Sequence, residues 1–212
     1  GKVNILAFAA ADDSLKAEAG QGGIYSGVEY VTDGKIKQNA NVEFSGTGST
    51  VAGVQGVSIS TNTDTRGNAN SNITGSYGLV DSITVTAAMT MVIDSAITMC
   101  DKTTVVADKG NVLINAAVKK INAVAKSSGN THSLFHITLK PDAKTDIKVD
   151  ARVVGDKGAN VSLKAPEGTL QIVAILPNQS NFHVESEAFG KQTGASGSIS
   201  SIARGDVKAH AT

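Results

Sequence analysis

The chain has 212 residues with 19 lysines and arginines against 19 aspartates and glutamates, so its formal net charge at pH 7 is zero. Nucleic-acid-binding proteins carry a basic excess, and this balance argues against that class and against a nucleic-acid partner. No stretch approaches the ~18 apolar residues of a membrane-spanning helix, and the single cysteine excludes an intrachain disulfide framework and a multi-cysteine zinc site.

The apolar residues are mainly β-branched. The chain has 22 Val and 16 Ile against 9 Leu, with 22 Gly, 3 Pro and only 4% aromatic residues. β-branched side chains favour strands, and glycine favours tight turns. The composition therefore predicts an all-β protein.

Three polar segments are predicted to leave the regular strand pattern. Residues 12–20 are expected to form one helical turn or a surface excursion. Residues 60–72 and 190–198, which are rich in Asn, Ser, Thr and Gly, are predicted to be surface loops. Strand patterns resume after each segment, so residues 1–212 are predicted to form a single domain, and the start at Gly1 is expected to mark a piece of a longer protein.

From residue 82 onward a short pattern recurs, in which a polar residue precedes two alternating aliphatic residues and the copy usually ends in Ala. The copies lie at 82–87, 111–116, 120–125, 146–151, 160–165, 169–174 and 206–211. A period of two places alternate side chains on opposite faces, so each copy is predicted to be a half-buried strand about five residues long. Turns are predicted at 108–110, 127–130, 156–158, 166–168 and 204–206.

The spacing of these copies predicts the topology. Successive copies begin too close together to hold crossover helices, and Asp33-Gly34 is the only two-residue hairpin signal. A right-handed parallel β-helix fits, with roughly 20–25 residues per coil, about nine coils and a rod about 45 Å long. Its interior is expected to be a dry aliphatic stripe. The alternative is an antiparallel β-sandwich.

The triplet Arg204, Gly205 and Asp206 is the candidate contact with a host receptor. On an exposed loop, the Asp carboxylate can bind a metal ion and the Arg can pair with an acidic group. The competing interpretation makes Gly205 and Asp206 the turn that opens the last strand copy. Asp206 then occupies the same repeat position as Asp146 and Asn160.

Other residues with useful chemistry form no predicted metal, cofactor or catalytic site. His132 and His136 would share a strand face with Leu134 but lack a third ligand. Glu185 and Glu187 alternate on one face, and Cys100 is predicted to be a small core residue. Six aspartates could be brought together by stacking, as in carbohydrate-active β-helix enzymes; they are Asp94, Asp101, Asp108, Asp142, Asp150 and Asp156.

The copies within residues 109–116, 157–165 and 205–211 resemble the shaft repeats of filamentous-haemagglutinin-type exoproteins, which are exported by two-partner secretion. The resemblance implies an internal shaft segment of a secreted or surface-bound bacterial virulence protein, an adhesin or leukotoxin. It also implies an outer-membrane secretion partner and a host cell-surface receptor or matrix. The alternatives are a dedicated receptor-binding module, through residues 204–206 or 60–72, and a carbohydrate-active β-helix enzyme.

Overall fold

A computed structural model describes residues 1–19, 22–25, 28–80, 82–133, 137–194 and 197–212, which form strands joined by short turns and one 3-10 turn. The strands are β1 (Lys2–Ala19), β2 (Gly22–Tyr25), β3 (Val28–Phe44), β4 (Thr50–Gly53), β5 (Gly56–Val80), β6 (Ser82–Met99), β7 (Thr104–Ala107), β8 (Asn111–Ser133), β9 (Ile137–Gly155), β10 (Ser162–Lys164), β11 (Leu170–Ile175), β12 (Phe182–Gly194), β13 (Gly197–Ile199) and β14 (Ile202–Ala211). The predicted all-β class is confirmed.

The strands form three sheets. Sheet A contains β1, β5 and β8, with β11 and β12 following β8 and β2 beside β5. Sheet B contains β3, β6 and β9, with β13 and β14 following β9, and the short sheet C contains β4, β7 and β10. The pairs that join the described strands are parallel, from β1 with β5 to β6 with β9. The parallel solenoid is therefore confirmed, and the antiparallel sandwich is wrong.

The coils are much longer than the sequence predicted. Lys2 pairs with Gly56 and Gly56 pairs with Asn111, so 54 and then 55 residues separate equivalent positions. The chain thus makes nearly four coils, and the prediction of about nine coils is wrong. Strands of up to 25 residues extend about 80 Å, whereas four layers stack to about 15–20 Å. The molecule is therefore broad and thin, and the prediction of a rod about 45 Å long is wrong.

A bulge explains why the predicted strands were too short. The copies at 111–116 and 120–125 both lie within β8, which is 23 residues long. Thr63 pairs with Val118 and Asp64 pairs with Lys120, so Lys119 is an extra residue in β8. An extra residue shifts the inward positions from even to odd numbers. In the sequence this shift looks like the end of one strand and the start of another.

Two of the three predicted excursions are wrong outright, and the third is mostly strand. Residues 12–19 lie in β1, residue 20 lies outside the described part of the chain, and residues 60–72 lie in β5. Residues 190–194 continue β12 and residues 197–198 begin β13, while residues 195–196 lie outside the described part of the chain. Of the predicted turns, 108–110, 156–158 and 166–168 lie at corners, whereas 127–130 lies within β8 and 204–206 within β14.

The core lies between the inner faces of sheets A and B and extends to sheet C. Its aliphatic clusters include Ile59 and Ile114 near sheet C and Met89 and Ile147 in the middle. The sequence predicted a uniformly aliphatic interior, but the interior also contains polar side chains. Thr61 and Ser95 are both fully buried and hydrogen-bond at 2.9 Å, which joins the two sheets.

Candidate functional site

The triplet 204–206 lies in an exposed strand and not on a loop. β14 pairs in register with β9, so Arg204 stacks on Lys144 and Asp206 on Asp146. Buried Thr145 in β9 marks the inner face, where Gly205 lies above it. Arg204 and Asp206 therefore project together from the outer face of sheet B. The predicted equivalence of Asp206 and Asp146 is confirmed, and the predicted turn is wrong. The predicted equivalence of Asn160 is also wrong, because Asn160 lies at the corner before β10 and bonds to Asp101.

Neighbouring side chains hold the triplet in place. Arg204 donates from Nη2 to Oδ2 of Asp142 at 2.7 Å, and its own side chain remains 59% exposed. Lys208 Nζ lies 3.5 Å from Oδ2 of Asp206. Ser186 donates to the carbonyl oxygen of Arg204 at 2.7 Å, which links the strand backbone to sheet A. The two charged groups are thus presented on a fixed, extended backbone.

A pair of stacked carboxylates lies further along the same outer face. Asp94 in β6 pairs with Asp150 in β9. Arg152 bridges them, with Nη2 at 2.9 Å from Oδ2 of Asp94 and Nη1 at 3.0 Å from Oδ2 of Asp150. Burial raises the pKa of Asp94; the Arg152 charge acts in the opposite direction, and the Asp150 charge adds to the increase. His210 Nδ1 lies 3.5 Å from Oδ1 of Asp150.

Replacing Arg152 with Met should lower the free energy of unfolding by about 1 kcal/mol at about pH 7, because two close carboxylates lose their shared cation. Since the folded-state pKa of Asp94 is raised, its charged form opposes folding, and this cost disappears as the pH falls through that pKa. The difference between wild type and variant should therefore shrink as the pH falls through the raised pKa of Asp94, because the Arg152 guanidinium then loses that charged partner. Urea unfolding at neutral and at acid pH measures it. A Lys148→Met variant on the same face is the control, and an equal loss in both variants would contradict the bridging role.

The remaining predicted aspartates do not join this pair. Asp101 lies at a corner, where the backbone N–H of Asn160 donates to its Oδ1 at 2.9 Å and lowers the pKa of the carboxyl. Asp108 lies in the corner after β7, Asp156 follows β9, and Asp142 binds Arg204. Within the described part of the chain, His, Cys, Asp and Glu form no group of three or more that could hold a metal ion.

The other residues singled out in the sequence are buried, contact neighbouring side chains or lie outside the described part of the chain. His132 is exposed and contacts Thr193 Oγ1, while His136 and Leu134 lie outside the described residues. Glu185 and Glu187 flank Lys126, whose Nζ lies 2.6 and 2.9 Å from their carboxylate oxygens. Hydrogen bonding to Glu185, and then to Glu187, raises the pKa of Lys126, while the bond from Lys126 lowers the pKa of Glu185. Cys100 is buried, as predicted.

Sequence reasoning missed an open groove of about 400 Å³ on the outer face of sheet A, where the sheet meets the corner. The groove crosses all four coils and offers amide, hydroxyl and lysine groups. The groups that line it include Lys2, Asn4, Gln55, Ser58, Asn111, Thr169 and Gln171. Only the coil length of about 55 residues brings these positions together, and no short motif marks them.

The fold and its polar outer faces define a parallel β-solenoid protein. No known protein family, curated protein or solved structure matches the chain. None of the described residues forms a helix long and apolar enough to cross a membrane.

Proposed function

We propose that the chain is a shaft segment of a secreted bacterial exoprotein of the filamentous-haemagglutinin type, an adhesin or leukotoxin, that contacts host cells. The parent protein would be exported through an outer-membrane partner. The observation that carries the proposal is the outward pair of Arg204 and Asp206, which an exposed strand presents on the surface of a parallel solenoid. A host receptor or matrix protein is the partner that this pair fits.

The solenoid supports such a role by its construction. Backbone hydrogen bonds between coils run along the axis and fix the spacing of the outer side chains. The outer face of sheet B carries both signs of charge, including Lys144 and Asp146. A surface of this kind presents charged groups at fixed distances, so it acts through shape and contact.

Binding of the purified chain to leukocytes and epithelial cells tests the proposal. We expect saturable binding, and at least tenfold weaker binding by an Asp206→Glu variant, because the added methylene displaces the carboxylate from its partner. Asp146→Glu is the matched control, since Asp146 occupies the same column of the same face one coil away. Absence of saturable binding would contradict the adhesive role. Equal losses in the two variants would contradict the contact at Asp206.

The alternative of a carbohydrate-active enzyme is based on the stacked Asp94 and Asp150. Arg152 already occupies one oxygen of each carboxylate, and aromatic side chains that could stack on a sugar ring are scarce in the chain. The two carboxylates therefore fit a salt bridge that joins neighbouring coils better than they fit a catalytic acid and base. Release of reducing ends from a panel of polysaccharides, lost in an Asp94→Asn variant, would overturn the shaft proposal.

A further inference from the structure

Three tripeptides of the chain have the form Asn-x-Ser or Asn-x-Thr, where x is not proline. They begin at Asn72, Asn160 and Asn178. Transferases attach sugars to the Asn side chain of this pattern when the tripeptide is accessible at the surface. The structure separates the three tripeptides, because it gives each Asn different surroundings.

Asn72 lies within sheet A, in a strand that is paired on both sides. Its neighbours in the ladder are Glu18 in β1 and Ser128 in β8. The Oδ1 of Asn72 accepts a hydrogen bond from Oγ of Ser128 at 2.8 Å, and the next residue, Ile73, is buried in the core. An enzyme could therefore reach this tripeptide only by pulling β5 out of the sheet.

Asn160 lies at a corner, but its side chain is already bound. Its backbone N–H and its Nδ2 both donate to Oδ1 of Asp101, at 2.9 and 3.3 Å. Ser162, the third residue of the tripeptide, begins β10 and donates its backbone N–H to the carbonyl oxygen of Thr103 at 2.8 Å. The nitrogen that would take a sugar is thus held by a carboxylate, and both ends of the tripeptide are tied to the preceding coil.

Asn178 lies in a turn that interrupts sheet A. The six residues 176–181 join β11 to β12 and stand opposite only three residues of β8, 118–120, so the segment has to arch out of the ladder. Leu176 and Phe182 pack against the core and anchor its two ends, whereas the four residues from Asn178 onward are exposed. A further coil would pair with β11 and β12 on either side of the arch, so the arch does not depend on how many coils follow.

Hydrogen bonds within this turn direct the amide nitrogen of Asn178 outward. Its Oδ1 accepts from Oγ of Ser180 at 2.9 Å and from the backbone N–H of Asn181 at 3.2 Å. These two donors hold the amide by its oxygen, and among the described residues none accepts a hydrogen bond from its Nδ2. The nitrogen therefore keeps both protons available to an incoming group, and the Ser180 hydroxyl that completes the pattern lies beside it.

We propose that Asn178 is the acceptor of an N-linked sugar, and that Asn72 and Asn160 stay unmodified in the folded chain. The donor is a sugar whose anomeric carbon is activated by a diphosphate, as in a nucleotide sugar or a lipid-linked oligosaccharide. Nδ2 bonds to the anomeric carbon while the bond from that carbon to the diphosphate oxygen breaks, and the diphosphate leaves with the electron pair. One amide proton passes to a base of the transferase, so the step needs no oxidant or reductant. The inference goes beyond cell binding and does not depend on it.

Mass spectrometry of the protein purified from the cells that make it tests the proposal. Trypsin places the three tripeptides on separate peptides, which are 67–102, 158–164 and 165–191. We expect a sugar on most copies of the last peptide and none on the other two. An added mass of one hexose would identify a nucleotide donor, and that of an assembled oligosaccharide a lipid-linked donor. A bare Asn178, or equal occupancy of another tripeptide, would overturn the proposal.

A purified glycosyltransferase that recognises Asn-x-Ser/Thr, supplied with uridine-diphosphate glucose, tests whether the fold selects the site. Synthetic peptides with the three sequences should all react, whereas the folded chain should react at Asn178 at least about tenfold faster than at the other two sites, which need local opening. Ser180→Ala should abolish the modification and Ser180→Thr should retain it. Gln179→Ala is the matched control in the same turn and should react like wild type, with circular dichroism showing that every variant is folded. Equal rates at the three sites of the folded chain, or a Ser180→Ala chain that is still modified, would overturn the proposal.

Discussion

Replacing Gly110 with alanine should lower the free energy of unfolding by about 3 kcal/mol or more, because the corner between β7 and β8 has no room for a side chain at this position. A Cβ at Gly110 would lie against the carbonyl group of Gln55 at less than 3.0 Å. The neighbouring atoms belong to the backbone, so no rotamer change relieves the overlap. Urea unfolding followed by circular dichroism measures the effect.

Two further glycines make this prediction specific. Gly168 stacks on Gly110 in the next coil, and a Cβ there would meet the Gly110 carbonyl group, so Gly168→Ala should be similarly destabilising. Gly155→Ala is the control, because its nearest contact would be an ordinary 3.7 Å to Val161. The control should change stability by no more than about 0.5 kcal/mol. Equal losses at positions 110 and 155 would contradict the close approach of the corner backbones.

The fold class could be predicted because it depends on local features. β-branched residues with strict alternation indicate strands, and the near absence of hairpin dipeptides indicates parallel connections. The corners at 108–110 and 166–168 also carry their own signal in glycine. Each of these signals is complete within a few residues, so no knowledge of distant contacts is needed.

The coil length could not be predicted, because it depends on which apparent breaks are real. Lys119 is a bulge within β8, yet it separates two copies of the strand pattern just as a corner would. Residues 60–72 were misread for a related reason. Thr61 and Thr65 are polar but face inward, where Ser95 and Gln38 from sheet B satisfy their hydroxyls. Hydrogen-bond partners from the facing sheet thus allow these two polar side chains to be buried.

Among the candidate sites, too, some features follow from a local sequence pattern and others depend on the coil length. The equivalence of Asp206 and Asp146 could be predicted, because both head a copy of one pattern. The same signal failed for Asn160, which heads a copy but lies at a corner. The contact between Asp94 and Asp150 could not be predicted, because 56 residues separate them and only a coil of that length stacks one on the other.

The largest core effect is expected at Ile114, which is fully buried between its neighbours Ile59 and Ile172 in adjacent coils of sheet A. Ile114→Ala should lower the free energy of unfolding by about 3–4 kcal/mol, through lost burial and a cavity that the long paired strands cannot close. Urea unfolding measures the loss, and an unchanged m-value would show that the solenoid still unfolds as one unit.

Ile172→Ala makes the same chemical change in the same column, one coil nearer the end. The Ile172 side chain is 50% exposed, so its truncation removes less buried area and leaves no closed cavity. We expect a loss of about 1 kcal/mol for this variant. Equal costs for the two variants would contradict the difference in burial between Ile114 and Ile172.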